Sequence, residues 1–141
     1  ATLRGVIGVQ TVNKLCPNDR EEYLLSRAEG APLENYANFG RVLAALKEER
    51  LVEDDTQWKE LLFARAISCS QCESGYKGVV GLQEVLPITG TLKEMIVKGA
   101  SAADIEEKAR EEGMLTIVED ALYKAAAKQT SIEEVFRLVQ G

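Results

Sequence analysis

A chain of 141 residues fits one domain, or a small domain with an appendage, and can bury a core without disulfides. Its formal net charge of −6 leaves no basic surface for nucleic acid, which favours a protein partner or a neighbouring domain. Histidine is absent, which excludes Ser-His-Asp and Cys-His catalysis as well as histidine metal ligands.

The cysteine count and the apolar runs predict a cytoplasmic protein. Three cysteines cannot all pair within the chain, and an odd count suits a reducing compartment better than a secreted disulfide framework. The N-terminal residues lack the charged-then-apolar plan of a signal peptide, and no apolar run reaches the ~20 residues needed to cross a bilayer. Because the chain begins without Met, we also expect a fragment of a longer protein.

The N-terminal third carries mixed signals for strand and helix. Residues 5–15 are rich in β-branched side chains and predict a strand or a short helix, since their periodicity does not decide between the two. Residues 20–28 form a weakly helical segment. Asn38 is a predicted N-cap for a helix that runs to about Leu51.

The middle of the chain predicts one more short helix and two strands. The helix begins near residues 53–56 and turns Trp58, Leu61 and Leu62 inward. Residues 63–68 alternate apolar and polar side chains in part, which is typical of a strand. The second strand follows a return punctuated by glycines and ends at Pro87.

The C-terminal third has the clearest pattern, a series of short amphipathic helices. An N-cap residue stands before each apolar run, and three of these caps are followed three places later by Asp or Glu, as in a capping box. The predicted N-caps are Thr91, Ser101, Thr116 and Ser131. The predicted helices cover residues 92–98, 102–112, 117–128 and 132–139.

Two four-residue segments have the spacing of zinc knuckles. Cys16 and Asp19 frame the first, and Cys69 and Cys72 frame the second, with two residues between the ends of each. Three thiolates and one carboxylate can complete the tetrahedron that zinc prefers, so we predict a structural zinc site at these four residues. In the alternative interpretation the three cysteines are ordinary half-buried side chains, and Asp19 closes a solvated turn.

Two other functions of these motifs receive less support. A redox motif of the thioredoxin type at residues 69–72 needs a helix after its first cysteine, and a glycine-rich return follows instead. The glycines Gly75, Gly78 and Gly81 match neither a dinucleotide nor a Walker pattern, and turns explain them better than phosphate binding. The acidic side chains within residues 106–112 are expected to form a solvated helix face rather than a catalytic pair, and we predict no catalytic and no cofactor-binding residue in this chain.

These patterns together predict an α+β fold with two lobes. Residues 1–88 are expected to form a small metal-binding mixed α/β lobe, the zinc-knuckle subdomain. Residues 89–141 are expected to form a C-terminal helical subdomain of four short helices. Pro87 and Gly90 interrupt the periodicity at the joint between the two lobes.

Six segments occur in a fixed order along the chain and share a pattern with one family. They are Leu15-Cys16-Pro17, residues 63–72 with Cys69 and Cys72, residues 75–88 with Gly75, Gly78 and Gly81, Gly99-Ala100-Ser101-Ala102, Glu112-Gly113-Met114 and residues 130–135. In this order they resemble the C-terminal region of the type II secretion and type IV pilus assembly ATPases, the GspE/PulE/PilB family. The resemblance extends from about residue 5 to residue 140.

The resemblance implies that this chain is the non-catalytic end of a hexameric motor subunit. Members of the family bind ATP through a RecA-like core, which here would precede residue 1, so ATP belongs only to that core. The zinc-binding and helical subdomains pack on the core and on neighbouring subunits, and they are candidates for contact with the inner-membrane platform protein. The resemblance therefore implies a cytoplasmic location at the inner membrane, with no nucleic-acid partner and no segment inserted directly into the membrane.

The chain departs from the family pattern at three places. Asp19 stands where the family has the second cysteine of its first knuckle, and a thiolate usually holds zinc more tightly than a carboxylate. Val79 follows Gly78 where the family usually has arginine, and residues 9–13 lack the expected Gln-Arg and a second Arg. The missing cations predict weaker coupling to nucleotide, or a divergent paralogue.

Two rival functions stay open at this point. A free-standing adaptor or regulatory binding module of the same ancestry would lack the motor core. A stop codon directly upstream of residue 1 would favour this adaptor, whereas a Walker motif joined to residue 1 would favour the motor subunit. An autonomous enzyme is the other rival, and steady ATP turnover by the isolated chain would support it.

Overall fold

The computed structural model describes residues 2–72 and 74–141, and it confirms the α+β mixture of strands and helices. The strands are β1 (Gly5–Leu15), β2 (Arg20–Leu24), β3 (Leu62–Ala66) and β4 (Tyr76–Pro87). The helices are α1 (Arg27–Gly30), α2 (Phe39–Glu48), α3 (Gly90–Val97), α4 (Ala102–Glu111), α5 (Ile117–Ala126) and α6 (Ile132–Gln140). Short 3-10 segments cover Ala31–Asn35 and Trp58–Glu60. No helix among these described residues has both the length and the apolar character that a membrane span needs.

The strands form two antiparallel pairs, β1 with β4 and β2 with β3. In the first pair the register runs from Gly5 opposite Pro87 to Leu15 opposite Tyr76. A bulge interrupts this register shortly before Leu15. The strand interpretation of the N-terminal segment is therefore correct, and both strands predicted for the middle of the chain are present.

The helical prediction for residues 20–28 is wrong. Most of this segment is strand β2, in which Tyr23 lies opposite Phe63 of β3. The guanidinium carbon of Arg65, also on β3, stands 3.8 Å from the centre of the Tyr23 ring. Helix α1 begins only after its N-cap, Ser26. Cross-strand pairing with a buried partner outweighed a weak local preference for helix.

Helix α2 begins at the predicted N-cap, Asn38, but it ends at Glu48 rather than near Leu51. Arg50 has a φ of 57°, a left-handed conformation in which an α-helix cannot continue. The side chain of Leu51 is 52% exposed, so no burial favoured a longer helix.

The short helix predicted from residues 53–56 is reduced to the 3-10 turn at Trp58–Glu60. Of the three side chains predicted to face inward, Leu61 is buried, Trp58 is partly buried against the core, and Leu62 is 43% exposed. Leu62 is the first residue of β3, and successive side chains of a strand point to opposite faces. The strand period therefore decides which of the two leucines reaches the core.

Three of the four N-caps predicted for the C-terminal helices are confirmed. The side chains of Ser101, Thr116 and Ser131 each accept a hydrogen bond from the N–H group three residues further on. The complete capping box forms at the first two of these caps. At the third, the Glu134 carboxylate instead accepts the N–H of Asn13 on β1 at 2.7 Å. Contact between α6 and β1 thus diverts Glu134 from its local role.

The predicted cap at Thr91 is wrong, because α3 begins earlier. Thr89 is the N-cap, and its hydroxyl oxygen accepts the Leu92 N–H at 3.3 Å. The same hydroxyl donates to the Glu112 carboxylate at 2.8 Å, at the end of α4. The hydrogen bond to Glu112, a residue distant in sequence, therefore favours Thr89 over Thr91 as the N-cap.

A hydrophobic core joins the strands to the last two helices. Its buried side chains are Val12, Leu33, Val42, Leu46, Leu61, Phe63, Leu82, Ala121, Leu122, Ala125, Ile132 and Val135. A smaller cluster of Leu92, Ala109 and Met114 holds α3 against α4. The larger core contains side chains from both predicted ranges, 1–88 and 89–141, and the division into two lobes stays a prediction.

Candidate metal centre

The three cysteines follow two strands that are far apart in sequence. Cys16 comes directly after β1, and Cys69 and Cys72 lie after β3, where they form an isolated antiparallel bridge. The Cys16 N–H donates to the Gly75 carbonyl at 2.9 Å. This hydrogen bond holds the loop after β1 against the start of β4.

The sulfur atoms of these cysteines form a tight cluster. All three lie within 4.8 Å of one another, and Sγ of Cys16 is 3.5 Å from Sγ of Cys69. Sulfur ligands on a tetrahedral zinc stand roughly 3.8 Å apart, so the spacing of Cys16 and Cys69 fits a shared ion. The sulfurs of Cys69 and Cys72 are 2.16 Å apart, at disulfide distance, and metal binding requires both as thiolates.

Asp19, the fourth predicted ligand, lies outside this cluster. Among the described residues, the group of mutually close ligand atoms comprises the three cysteines, and Asp19 is exposed. The neighbouring Asn18 amide donates to Oε1 of Gln71 at 3.1 Å, which links the two loops directly. Asn18 and Gln71 hold the same third place in their four-residue segments, so the symmetry of the segments is a signal that sequence reasoning missed. Ligation by Asp19 stays a prediction.

Gly75 makes a close backbone approach beside the cluster. Its φ is +81°, and an added Cβ would lie 2.7 Å from Cβ of Ala66 and 2.7 Å from the backbone N and O of Ile67. Only glycine lets the chain pass the end of β3 at this distance while its carbonyl accepts the Cys16 N–H. The sequence identified Gly75 as a turn residue, but its support of the cysteine loop is visible only in the structure.

Contacts with the loop between α5 and α6 anchor the strands that lead to the cluster. The Arg20 guanidinium donates to the Lys128 carbonyl at 2.9 Å. The hydroxyls of Tyr76 and Ser131 share a hydrogen bond of 2.7 Å. Burial raises the pKa of Tyr76, although the hydrogen bond with Ser131 opposes the rise. The helical part of the chain thus supports both β2 and β4 close to the sulfurs.

A buried carboxylate joins α2 to α5. Glu119 is 1% exposed and accepts hydrogen bonds from the Arg41 guanidinium at 2.5 Å and from the N–H groups of Asn38 at 2.9 Å and Thr116 at 3.0 Å. Burial by itself raises the pKa of Glu119, but the hydrogen bonds from Arg41 and the two backbone groups outweigh it, and the pKa is lowered. The oxygens of this carboxylate are engaged in holding helices together.

The chain is similar in sequence to components of secretion and pilus machines. A family model described as "Type II/IV secretion system protein" matches residues 1–137. The type II secretion system ATPase E of Vibrio cholerae is 29% identical over 141 residues, which are 99% of this chain and 24% of that protein. The type II secretion system protein HxcR of Pseudomonas aeruginosa is 28% identical over 141 residues, 99% of this chain and 28% of that protein.

A third similarity is stronger but shorter. The type IV pilus assembly ATPase PilB of Thermus thermophilus is 42% identical over 72 residues, which are 50% of this chain and 8% of that protein. The chain thus spans only about a quarter of the length of the relatives that it matches from end to end. Two of these relatives are named as ATPases, and both are several times longer than this chain.

Proposed function

This chain belongs to the type II/IV secretion system protein family, and we propose that it is the non-catalytic C-terminal part of a secretion or pilus assembly ATPase subunit. End-to-end similarity to much longer relatives supports a part rather than a whole motor. In this proposal ATP binding and hydrolysis belong to the remainder of a hexameric subunit. The observation that carries the structural role is the convergence of three sulfurs from distant segments, which favours a cross-link.

A structural zinc ion fits the donor set of the sulfur cluster. Cys16, Cys69 and Cys72 offer three of the four ligands that structural zinc sites use, and Asp19 is the proposed fourth. Bound zinc would join the loop after β1 to the loop after β3 and would add to the stability of the fold. Its role would be mechanical, since a site closed by four protein ligands leaves no open position for a substrate.

An exposed apolar face supports packing against the rest of the subunit. On the β1–β4 pair Ile7 lies opposite Val85, and Val9 and Val79 share their side of the sheet. These side chains are exposed by 63% at Ile7, 45% at Val85, 64% at Val9 and 61% at Val79. Ile7, Val85 and Val9 adjoin one another, whereas Val79 lies farther along the strand pair. An exposed apolar cluster of this kind is typical of a surface that binds another protein surface. We assign it to the ATPase core of the same subunit.

The shared hydrophobic core supports a role in transmitting movement. Helices α5 and α6 bury Leu122 and Val135 in the same cluster as Val12 of β1 and Leu82 of β4. Close-packed side chains transmit displacement rather than absorb it. The helices therefore follow the sheet when the ATPase core moves it. Neighbouring subunits of the hexamer and the inner-membrane platform protein are the proposed receivers of this movement, at a cytoplasmic location.

Val9→Asp tests the assignment of the apolar face. In a subunit of full length the substitution is expected to lower Tm by several degrees, because the interface would bury an unpaired charge. In the isolated chain Val9 is 64% exposed, so the same substitution should change Tm far less. Thermal unfolding of both proteins provides the comparison.

Val97→Asp is the matched control for this experiment. Val97 lies at the end of α3, is 81% exposed and lies outside the proposed interface, so both proteins should tolerate the charge. Equal effects of Val9→Asp on the isolated chain and on the subunit would contradict the assignment. If the reading frame upstream of residue 1 encodes no ATPase core, the adaptor is favoured instead.

Asp19→Cys is expected to tighten zinc binding by at least about tenfold and to raise Tm of the zinc-bound chain. The reason is that a thiolate is a softer ligand for zinc than a carboxylate. Elemental analysis of the reduced chain measures the zinc content, which should be equimolar with protein. A competition titration with a chromogenic chelator measures the dissociation constant.

Asp54→Cys controls for the added thiol, because Asp54 is an exposed residue of a turn outside the cysteine cluster. This variant should bind zinc as the unchanged chain does. Equal dissociation constants for the two cysteine variants would remove Asp19 from the ligand set. A reduced chain that contains no zinc in any of the three forms would remove the site itself.

A further inference from the structure

Access to the three thiols is unequal. Cys69 and Cys72 are partly exposed, whereas Cys16 is 1% exposed. A dissolved disulfide such as oxidised glutathione can therefore reach Cys69 and Cys72 but not Cys16. The buried sulfur has a neighbour within the protein instead, since it lies 3.5 Å from Sγ of Cys69.

Sγ of Cys69 lies close to the sulfur atoms of both Cys16 and Cys72. Its bridge to Cys72 spans a sequence separation of 3 and stays within one loop. A bridge to Cys16 would span a separation of 53 and would join the loop after β1 to the loop after β3. Because a cross-link restricts the unfolded chain more when it closes a longer loop, the two pairings differ in how much they stabilise the fold.

We propose that the three cysteines form a thiol–disulfide exchange site that low-molecular-weight disulfides oxidise. A thiolate at Cys69 or Cys72 attacks oxidised glutathione, which forms a mixed disulfide and releases one glutathione thiolate. The second cysteine of this pair attacks the mixed disulfide, forms the Cys69–Cys72 bond and releases the second glutathione. Two protein thiols are oxidised, one glutathione disulfide is reduced, and the two thiol protons pass to the released glutathiones.

The exchange continues inside the protein. The Cys16 thiolate attacks Sγ of Cys69, the Cys16–Cys69 bond forms, and Cys72 leaves as a thiolate that takes up the proton from Cys16. This step moves no net electrons and needs no further oxidant. It converts the local bridge into the long-range one. The next element in the chain is strand β4, which begins at Tyr76, and not a helix, so the site is a target of modification and not a thioredoxin-type catalyst.

Disulfide mapping of the whole chain tests the exchange. The reduced protein is incubated in EDTA with excess oxidised glutathione, alkylated, and digested without reduction for mass spectrometry. Most chains are expected to contain an intrachain disulfide, with Cys69–Cys72 as the major bridge and Cys16–Cys69 as the minor one. Chains that carry only glutathione adducts, or that pair Cys16 with Cys72 in place of Cys69, would overturn the proposal. Because EDTA removes metal, failure here leaves the proposed zinc site untouched.

Two variants test the order of the steps. In Cys72→Ser, oxidised glutathione is expected to produce the Cys16–Cys69 bridge and to raise Tm by several degrees over the reduced form. A glutathione adduct on Cys69 without this bridge would argue against the exchange. In the double variant Cys69→Ser, Cys72→Ser, the buried Cys16 should stay reduced, and its modification in the folded chain would refute the order. Should either variant fail to fold, the map of the unchanged chain decides.

Discussion

The Gly75→Ala chain is expected to lose about 3 kcal/mol of its free energy of unfolding. Its new Cβ would lie 2.7 Å from Cβ of Ala66 and 2.7 Å from the backbone N and O of Ile67, so backbone must move to admit one methyl group. The φ of +81° adds strain, because L side chains rarely adopt this conformation. Urea unfolding of the reduced chain measures the loss.

Gly78→Ala is the matched control for the backbone conformation alone. Its φ is +79°, but nothing lies within 4 Å of its added Cβ, so the expected loss is about 1 kcal/mol. Gly75→Ala should also weaken zinc binding, since the Gly75 carbonyl accepts the Cys16 N–H, while Gly78→Ala should not. Equal stability losses in the two variants would show that crowding at the end of β3 is unimportant.

Glu119→Ala is expected to lower the free energy of unfolding by about 3 kcal/mol. The substitution removes the acceptor for the Arg41 guanidinium and for the backbone N–H groups of Asn38 and Thr116. Those donors lie beside a side chain that is 1% exposed, so water replaces the lost hydrogen bonds only in part. Urea unfolding at neutral pH measures the effect.

Glu106→Ala removes a comparable charge pair from the surface. Glu106 pairs with Arg110 one turn along α4, and its side chain is 53% exposed. An exposed pair of this kind contributes about 0.5 kcal/mol or less. A loss for Glu119→Ala that is no larger than the loss for Glu106→Ala would contradict the structural role of the buried carboxylate.

Acid is expected to weaken the contribution of Glu119. Although burial alone raises its pKa, the hydrogen bonds from Arg41 and from the backbone lower it, so the folded chain favours the ionised form. The resulting stability is fully present above the ordinary value of 4.5 and is lost as the pH falls through the lower pKa of the folded chain. The unchanged chain should therefore lose more stability than Glu119→Gln below pH 4.5. Parallel stability curves for the two proteins would disprove this.

The candidate site was visible in the sequence in part. The two segments with equal spacing indicated that Cys16 would meet Cys69 and Cys72, and the structure brings these three sulfurs together. The hydrogen bond from the Cys16 N–H to the Gly75 carbonyl and the close approach of Gly75 to Ile67 depend on where two loops cross. Spacing along the chain carries no information on such crossings, because they follow from the packing of β1, β3 and α5.

Local chemistry in the sequence determined where the C-terminal helices begin. Ser101, Thr116 and Ser131 satisfy N–H groups within their own first turn, and such a hydrogen bond needs no distant partner. Only the tertiary structure decided that residues 20–24 form a strand and that Glu134 turns to Asn13. In both cases a partner far along the chain offered a stronger interaction than the local one, and the sequence of the segment alone does not contain that partner.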